Sequence, residues 1–448
     1  MTTLLRTMAV CLALALLSSL AWAQGTDRSE MDRWMKMTEH QIEPPAGTTI
    51  TMANWRQYQG VMPLGMIKLF EGKYDLKMPP DVQMPVGTPR FDNVPKTWMA
   101  ATEKYSSQVR MEVTPAGHHI LWNFYGGTPF PNPQDPDKGW KILANVFWGV
   151  GPAMYVNTED HHGTVWAVDR FGDVAPSTFE VVFRGTDYVT DPGMPHTLDY
   201  APGTMGTGWG MQLTPEQARY TASLGMAFKD QEQHPFPETF IFVPALRRSL
   251  RLSSRSRCSP VFGFDWTYDD AAGQGFAGGT SLYTGHYLGD RKIITLTDFT
   301  QDGAEFPGGY DMPIAWPKPS WGKWVVRPML INDVFRIPSE ASGYCYSSRI
   351  MYVDKEMWHG MWVDLYDANG KLWKVISYYN DFHNHPPLGR TIDGVASVAY
   401  DLQNTHFTVW CGYANAGHLM PYIDNEAPKE YMNGVKYGTP GGLMQIMR

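Results

Sequence analysis

Cysteine is scarce in this chain, with four among 448 residues, at positions 11, 258, 345 and 411. None stands in a partnering histidine motif, and no Gly-x-Ser-x-Gly elbow occurs, so the usual signatures of a nucleophilic hydrolase are missing. Positive charge is also short: 37 Lys and Arg face 45 Asp and Glu, a net of −8. That balance excludes the basic footprint that nucleic acid requires. Long apolar runs are lacking as well. The one at residues 8–20 is too short to span a bilayer comfortably, and nothing downstream matches it. There is no repeat of fixed period and little sustained helical periodicity. What the chain has instead is 34 Pro, 43 Gly and 60 aromatic residues, a composition that favours sheet joined by long irregular segments.

The first 23 residues read as a secretory signal. Arg6 gives the positive start, residues 8–20 the apolar centre, and Ala21-Trp22-Ala23 the small-x-small cleavage site. Cleavage after Ala23 into the periplasm is expected and leaves 36 basic against 45 acidic residues, a net of −9. Cys11 lacks the small-residue run of a lipid-modified cysteine. Of the remaining three cysteines, an oxidising compartment joins two and leaves one spare. Cys258 and Cys345 sit in polar, turn-rich stretches beside strands, whereas Cys411 lies in an apolar run. The pair Cys258–Cys345 is therefore favoured over the other pairings.

The chain is organised around residues 349–379. Three runs rich in β-branched and aromatic residues, at 350–353, 361–366 and 372–379, are separated by turn-formers. Asp367-Ala368-Asn369-Gly370 supplies the positive φ of a tight hairpin. Both faces of this antiparallel meander carry large groups, so something must cover the second one: a lipid-like ligand or the rest of the chain. Ahead of it, residues 24–115 read as a helical, Pro-rich segment wrapping the surface, with helices at 26–40, 54–74 and 97–109. Residues 116–448 read as a curved antiparallel sheet, with a helix at 136–148 and a Gly/Pro-rich loop at 191–210. The fold class is mainly β (α+β): a curved, incomplete antiparallel barrel covered by a few helices.

Several pieces resemble, in order, one family of exported bacterial proteins. They are the Gly-Gly-x-Pro-Phe-Pro corner at 126–131, the Pro-x-x-Arg-Arg-x-x-Arg turn at 244–251, and Asp269, Asp270, Gly275 and Phe276. The last is Arg-x-x-Tyr-Val-Asp…Tyr-Asp-Ala-x-Gly-x-Leu-Trp at 349–373. This is similar to the uncharacterised domain-of-unknown-function family whose members are often labelled outer membrane lipoprotein-sorting protein. The resemblance implies a LolA/LolB-like sheet with an apolar cavity and implies no known activity.

Candidate sites divide accordingly. Tyr352, Trp362, Tyr366 and Trp373 are expected to line or support a cavity for a hydrophobic molecule. Arg247, Arg248 and Arg251, with Arg255 and Arg257, form a dense basic cluster in an acidic protein. They suit lipid headgroups or an acidic partner, or else are neutralised internally by a solvated acidic loop carrying Asp265, Asp269 and Asp270. That loop lacks the spacing of a calcium site. His383-Asn384-His385 has one-apart spacing, but Pro386-Pro387 make it read as a loop with no third ligand. No catalytic set, metal or cofactor is expected. Twenty-six methionines suit adaptable apolar surfaces and are too spread for copper handling. The leading reading is a periplasmic, non-enzymatic carrier or chaperone for a lipid or other hydrophobe, working with an envelope transport complex. The alternative is a secreted hydrolase acting on esters or glycans.

Overall fold

The alternating meander forms three strands, Ser348–Asp354, Gly360–Tyr366 and Leu372–His385. Gly370 has φ +74° in the turn between the last two. There the Asp367 carbonyl accepts from the Gly370 amide, and its carboxylate accepts from the amides of Asn369 and Lys371. These strands are β10, β11 and β12 of one sheet in a computed structural model. The model describes residues 28–151, 154–157, 163–185, 188, 190, 203–253, 257–271, 273–299, 306–385, 388–411, 420–421 and 433–447. The expected signal segment 1–23 with its Ala23 site, His161-His162, and most of the 191–210 loop lie outside the described residues.

The other strands are β1 Met154–Asn157, β2 Gly163–Val168, β3 Val174–Gly185, β4 Thr204–Thr214, β5 Ala222–Phe228, β6 Glu238–Val243 and β7 Arg248–Arg251. They continue with β8 Tyr283–Leu296, β9 Trp324–Arg336, β13 Gly389–Asp401, β14 His406–Cys411 and β15 Met420–Pro421. The order is β7-β6-β5-β4-β3-β2-β14-β13-β12-β11-β10-β9-β8, with β1 pairing β3 and β15. Every pairing within this sheet is antiparallel. The sheet is large, curved and not closed: β7 and β8 are its edges. Three features differ from expectation. Residues 204–210 are strand, 283–296 form a long strand that the pattern does not announce, and His383-Asn384-His385 continue β12 instead of forming a loop.

On one face of the sheet, Tyr352, Trp362 and Ser377 stand in register, as do Ile350, Asp364 and Val375. The N-terminal helices cover this face: α1 Arg28–Met37, α2 Trp55–Tyr58 and α3 Leu64–Glu71. Helix α3 is apolar nearly all round and buried from Leu64 to Phe70, as a helix between two layers must be. Pro63 starts it, and Gly72 in the left-handed region ends it. Its first turn is held by the sheet itself. The Gly65 amide donates to Asp364 Oδ2 at 3.0 Å, and the Leu64 amide to the Tyr352 hydroxyl at 2.8 Å. A Cβ on Gly65 would fall 2.2 Å from Asp364 Oδ1, so only glycine permits this approach. Beyond them, residues 310–324 add Trp316, Trp321 and Trp324.

The opposite face carries Met351, Val363, Ile376 and Ala399. Residues 257–282 and the helix Lys138–Phe147 cover it. Asn332 on β9 donates to the Gly139 carbonyl at 2.9 Å. Both faces of the meander are therefore covered by the chain. The β8 edge is sealed by a side chain: Gln41 Nε2 donates to the Lys292 carbonyl at 2.6 Å, and its Oε1 accepts from the Lys292 amide at 2.9 Å. The amide group occupies the place of a neighbouring strand.

Two outcomes are expected. In Gly370→Val a β-branched side chain must adopt positive φ, at a cost of about 1–3 kcal/mol; an unchanged melting temperature would contradict this. Burial pushes the Asp364 carboxyl up to about 6 despite its three donors. A carboxyl raised on folding contributes stability in its protonated form, which is lost as pH rises through 6. Between pH 7 and 4.5 wild type should gain roughly 2 kcal/mol from this group, and Asp364→Asn should lack that gain. Urea unfolding at both pH values measures it, and parallel profiles for the two proteins would refute it.

Candidate functional site

The structure places Tyr352, Trp362 and Tyr366 in the core, each at most 3 % exposed. Tyr352 meets the edge of Trp34, with ring centroids 5.5 Å apart, and Trp362 packs near Trp316 at 6.3 Å. The expectation of an open cavity at these residues is corrected: the N-terminal helices stand where a ligand was expected. Trp373 is half-buried, donates from Nε1 to Asp401 at 2.9 Å, and lies 5.6 Å from the Tyr346 ring.

The expected acidic loop is not solvated. Asp269 and Asp270 are wholly buried and bind arginines from three separate segments. Arg257 Nε donates to Asp269 Oδ1 at 2.6 Å, Arg336 Nη2 to Asp269 Oδ2 at 3.2 Å, and Arg349 Nη2 to Asp270 Oδ1 at 2.6 Å. Tyr283 and Tyr344 donate to Asp269, and Tyr346 to Asp270. The nearby guanidiniums hold the Asp269 carboxyl well below the usual range against the opposing effect of burial. The disulfide Cys258–Cys345, with Cα atoms 5.7 Å apart, clips the same loop beside Tyr344 and Tyr346. Asp269 thus neutralises Arg257 of the basic cluster but not Arg247, Arg248 or Arg251, which are exposed on the β6–β7 hairpin, while Arg255 lies outside the described residues. Arg251 pairs with Glu238 at 2.6 Å, and among the described residues Arg247 and Arg248 have no acidic partner.

Asp265 lies apart from this network, gathered with His406 and Asp401 in a set whose ligand atoms fall within 4.8 Å of one another. His406 Nδ1 is 2.8 Å from Asp265 Oδ1, and that hydrogen bond raises the imidazole's pKa. The carboxylates are already engaged: Asp265 accepts from Thr408, and Asp401 from Trp373 and Asn404. Lys374 Nζ donates to the Asp265 carbonyl, placing a cation beside the set. The set is therefore an engaged hydrogen-bond cluster, and Asp265 lies far in sequence from Asp401 and His406, so no local motif announces it.

The covering of the second face thins out beyond β3. Phe262 and Phe264 pack on Phe179 at 5.2 and 5.8 Å. Past them the register sets Val181 and Phe183 beside Gly210 and Gly208, then Ser223 and Gly225, then Ile241 and Thr239, then Leu250 on the edge strand. Gly208 and Gly210 give β4 no side chains of its own here, and the Phe183 ring lies over Gly208, where a Cβ would fall 2.6 Å from its Cε1. A Cβ at Gly210 or Gly225 would meet only a carbonyl oxygen at 3.9 Å. Phe183 is 44 % and Leu250 38 % exposed. The reverse of the same strands carries Val182, Trp209, Leu224 and Phe242 and is closed by the helices Gly434–Gly438 and Pro440–Leu443. Among the described residues the result is a one-sided trough with Gly210 and Gly225 in its floor, bounded by Phe183 over Gly208 and by Ile241 with Leu250. Glycines inside a strand mark close approach of a ligand or another backbone. Where Thr239 and Leu252 end the trough there is a cleft of 230 Å³, whose lining includes Arg251 and Arg257. The one legible signal for the trough was the Gly206-x-Gly208-x-Gly210 alternation, read as loop.

Comparison with known proteins places the chain in a family. It belongs to the family described as protein of unknown function (DUF1329), whose model matches residues 49–320 and 333–436. Among solved structures it is similar to a putative outer membrane lipoprotein-sorting protein domain from Vibrio parahaemolyticus. That match has 13% identity over 69% of this chain and 99% of that one, with a TM-score of 0.43. A DUF1329 family protein from Desulfovibrio piger matches at 14% identity over 62% and 91%, with a TM-score of 0.42. A LolA superfamily protein from Nitrosomonas europaea matches at 14% over 61% and 90%, with a TM-score of 0.35. The architecture stands on the strand pairing above and not on these distant likenesses. No curated protein matches the chain.

The matched residues include the whole arginine–aspartate network. Asp269→Ala should destabilise the protein by about 3–5 kcal/mol, because Arg257 and Arg336 are left buried without their shared carboxylate. A carboxyl depressed on folding contributes stability above its unfolded pKa and loses it as pH falls, so the deficit should shrink under acid. Denaturant unfolding at pH 7 and pH 3 tests both statements; a loss below 1 kcal/mol at pH 7 would contradict the first.

Proposed function

We propose that the protein is a non-enzymatic carrier that holds a hydrophobic molecule in the trough over β3 to β7. The observation that carries this reading is a stretch of the sheet that, among the described residues, is left uncovered on one face, with Gly210 and Gly225 in its floor and Phe183 and Leu250 exposed beside it. Burial of an acyl chain or polycyclic body there gains about 25 cal/mol per Å² of apolar surface without directional contacts. The core positions Tyr352, Trp362 and Tyr366, with Trp373 beside the acidic loop, then act as support, keeping the sheet rigid from behind. A signal-like start and a disulfide-clipped loop suit work in the periplasm. A soluble carrier needs a donor and an acceptor, which an envelope transport complex would provide.

Two measurements test this. Organic-solvent extraction of protein purified from the periplasm should release a stoichiometric hydrophobe. The delipidated protein should then bind N-phenyl-1-naphthylamine saturably. Gly210→Phe places a ring in open space on a strand that tolerates it, so it should weaken probe binding at least tenfold without lowering the melting temperature. Equal binding by wild type and Gly210→Phe would remove the trough as the site, and no saturable binding by either would end the carrier reading.

A further inference from the structure

The cleft at the end of the trough is lined by His234, Phe236, Glu238, Arg251, Leu252 and Arg257, among others. Its charge is lopsided. Arg251 is spent on Glu238, and His234 Nδ1 also faces that carboxylate at 3.7 Å. Behind the cleft wall, Arg257, Arg336 and Arg349 share only Asp269 and Asp270, three buried guanidiniums against two carboxylates. The guanidinium of Arg336 lies 5.3 Å from the Phe236 ring, which forms part of the cleft wall. Two buried donors of this network, Arg336 Nε and Arg349 Nη1, have no hydrogen-bond partner. Arg257, itself 6 % exposed, uses Nε on Asp269 and Nη2 on the carbonyls of Tyr268 and Ala277. Its Nη1 makes no hydrogen bond among the described residues, and the residue lines the cleft.

A net positive buried cluster, facing a small cleft through one guanidinium, lacks one negative charge. At 230 Å³ the cleft is below the 300–1,000 Å³ or so that encloses a drug-sized ligand, so it fits a headgroup and not a whole lipid. Thr239 and Leu252 line it and lie on the trough's face, so an apolar tail leaving the cleft runs onto the glycine floor. We infer that the cleft takes the anionic head of an amphiphile, a carboxylate or phosphate, whose apolar tail lies in the trough. This rests on the carrier reading and narrows its cargo from hydrophobes at large to anionic amphiphiles.

The test uses the mature, delipidated chain at pH 8, with dodecanoate, dodecan-1-ol and inorganic phosphate titrated by calorimetry. Dodecanoate should bind at least tenfold more tightly than the alcohol. Ser253 lines the cleft and is exposed, so Ser253→Glu puts a like charge there without touching the arginine network. It should weaken dodecanoate tenfold or more and leave the alcohol unchanged, while Ser253→Gln leaves both unchanged. If acid and alcohol bind equally, or Ser253→Glu weakens both alike, the carrier stands and the headgroup assignment falls. If inorganic phosphate binds as tightly as dodecanoate, the cleft is a free-anion site and the tail plays no part. If neither chain-bearing probe binds, the carrier reading itself fails.

Discussion

The pairing of Asp269 and Asp270 with Arg257, Arg336 and Arg349 is the constraint on which the rest of the structure depends. Residues 257–282 have little regular structure of their own, yet they must lie flat on an apolar sheet face. Two carboxylates at the centre of that segment reach β9 through Arg336 and β10 through Arg349, and the disulfide fixes its start. Removing charges from water costs several kcal/mol per ion, so such a network adds little net stability. Its effect is on geometry: this placement of the loop brings both carboxylates to their arginines. The loop thereby settles where cover over the second face ends and where the trough begins.

Cover is distributed unevenly for a physical reason. The central strands are apolar on both sides, so both sides must be buried, and the N-terminal helices, the long loop and the Lys138–Phe147 helix do this. Strands β4 and β5 carry large apolar groups on one side only, and β6 adds only Ile241 and Val243 to the other. Trp209, Leu224 and Phe242 seek cover and receive the C-terminal helices, whereas on the other face Gly210 and Gly225 present no side chain and Gly208 is covered only by the Phe183 ring.

The meander was legible in the sequence because strict alternation and an Asn-Gly turn act locally, within residues 349–379. What covered it was not legible, since a packed helix and a bound lipid leave the same alternation behind. Asp269 and Asp270 looked solvated because their partners come from positions 257, 336 and 349, and the two distant ones leave no mark on the local pattern. Residues 204–210 looked like a loop because glycine weakens a strand's signature; the buried Trp209 within it was the contrary sign. Strand β8 went unseen because its first half mixes Gly285, His286, Gly289, Asp290 and Arg291, polar residues suited to a half-exposed edge and not to a core.

An open sheet of this width has two raw edges, each a template for joining another copy. Here the edges are blunted by different means. At β8 the Gln41 side chain has already taken the Lys292 amide and carbonyl, so an incoming strand finds those backbone groups satisfied. At β7 the strand is four residues long and carries Arg248 and Arg251, so two such edges brought together repel. Each edge thus carries a feature that opposes strand addition, one at Lys292 and the other in its length and charge. The sheet can remain open with less risk of becoming the repeating unit of a fibre.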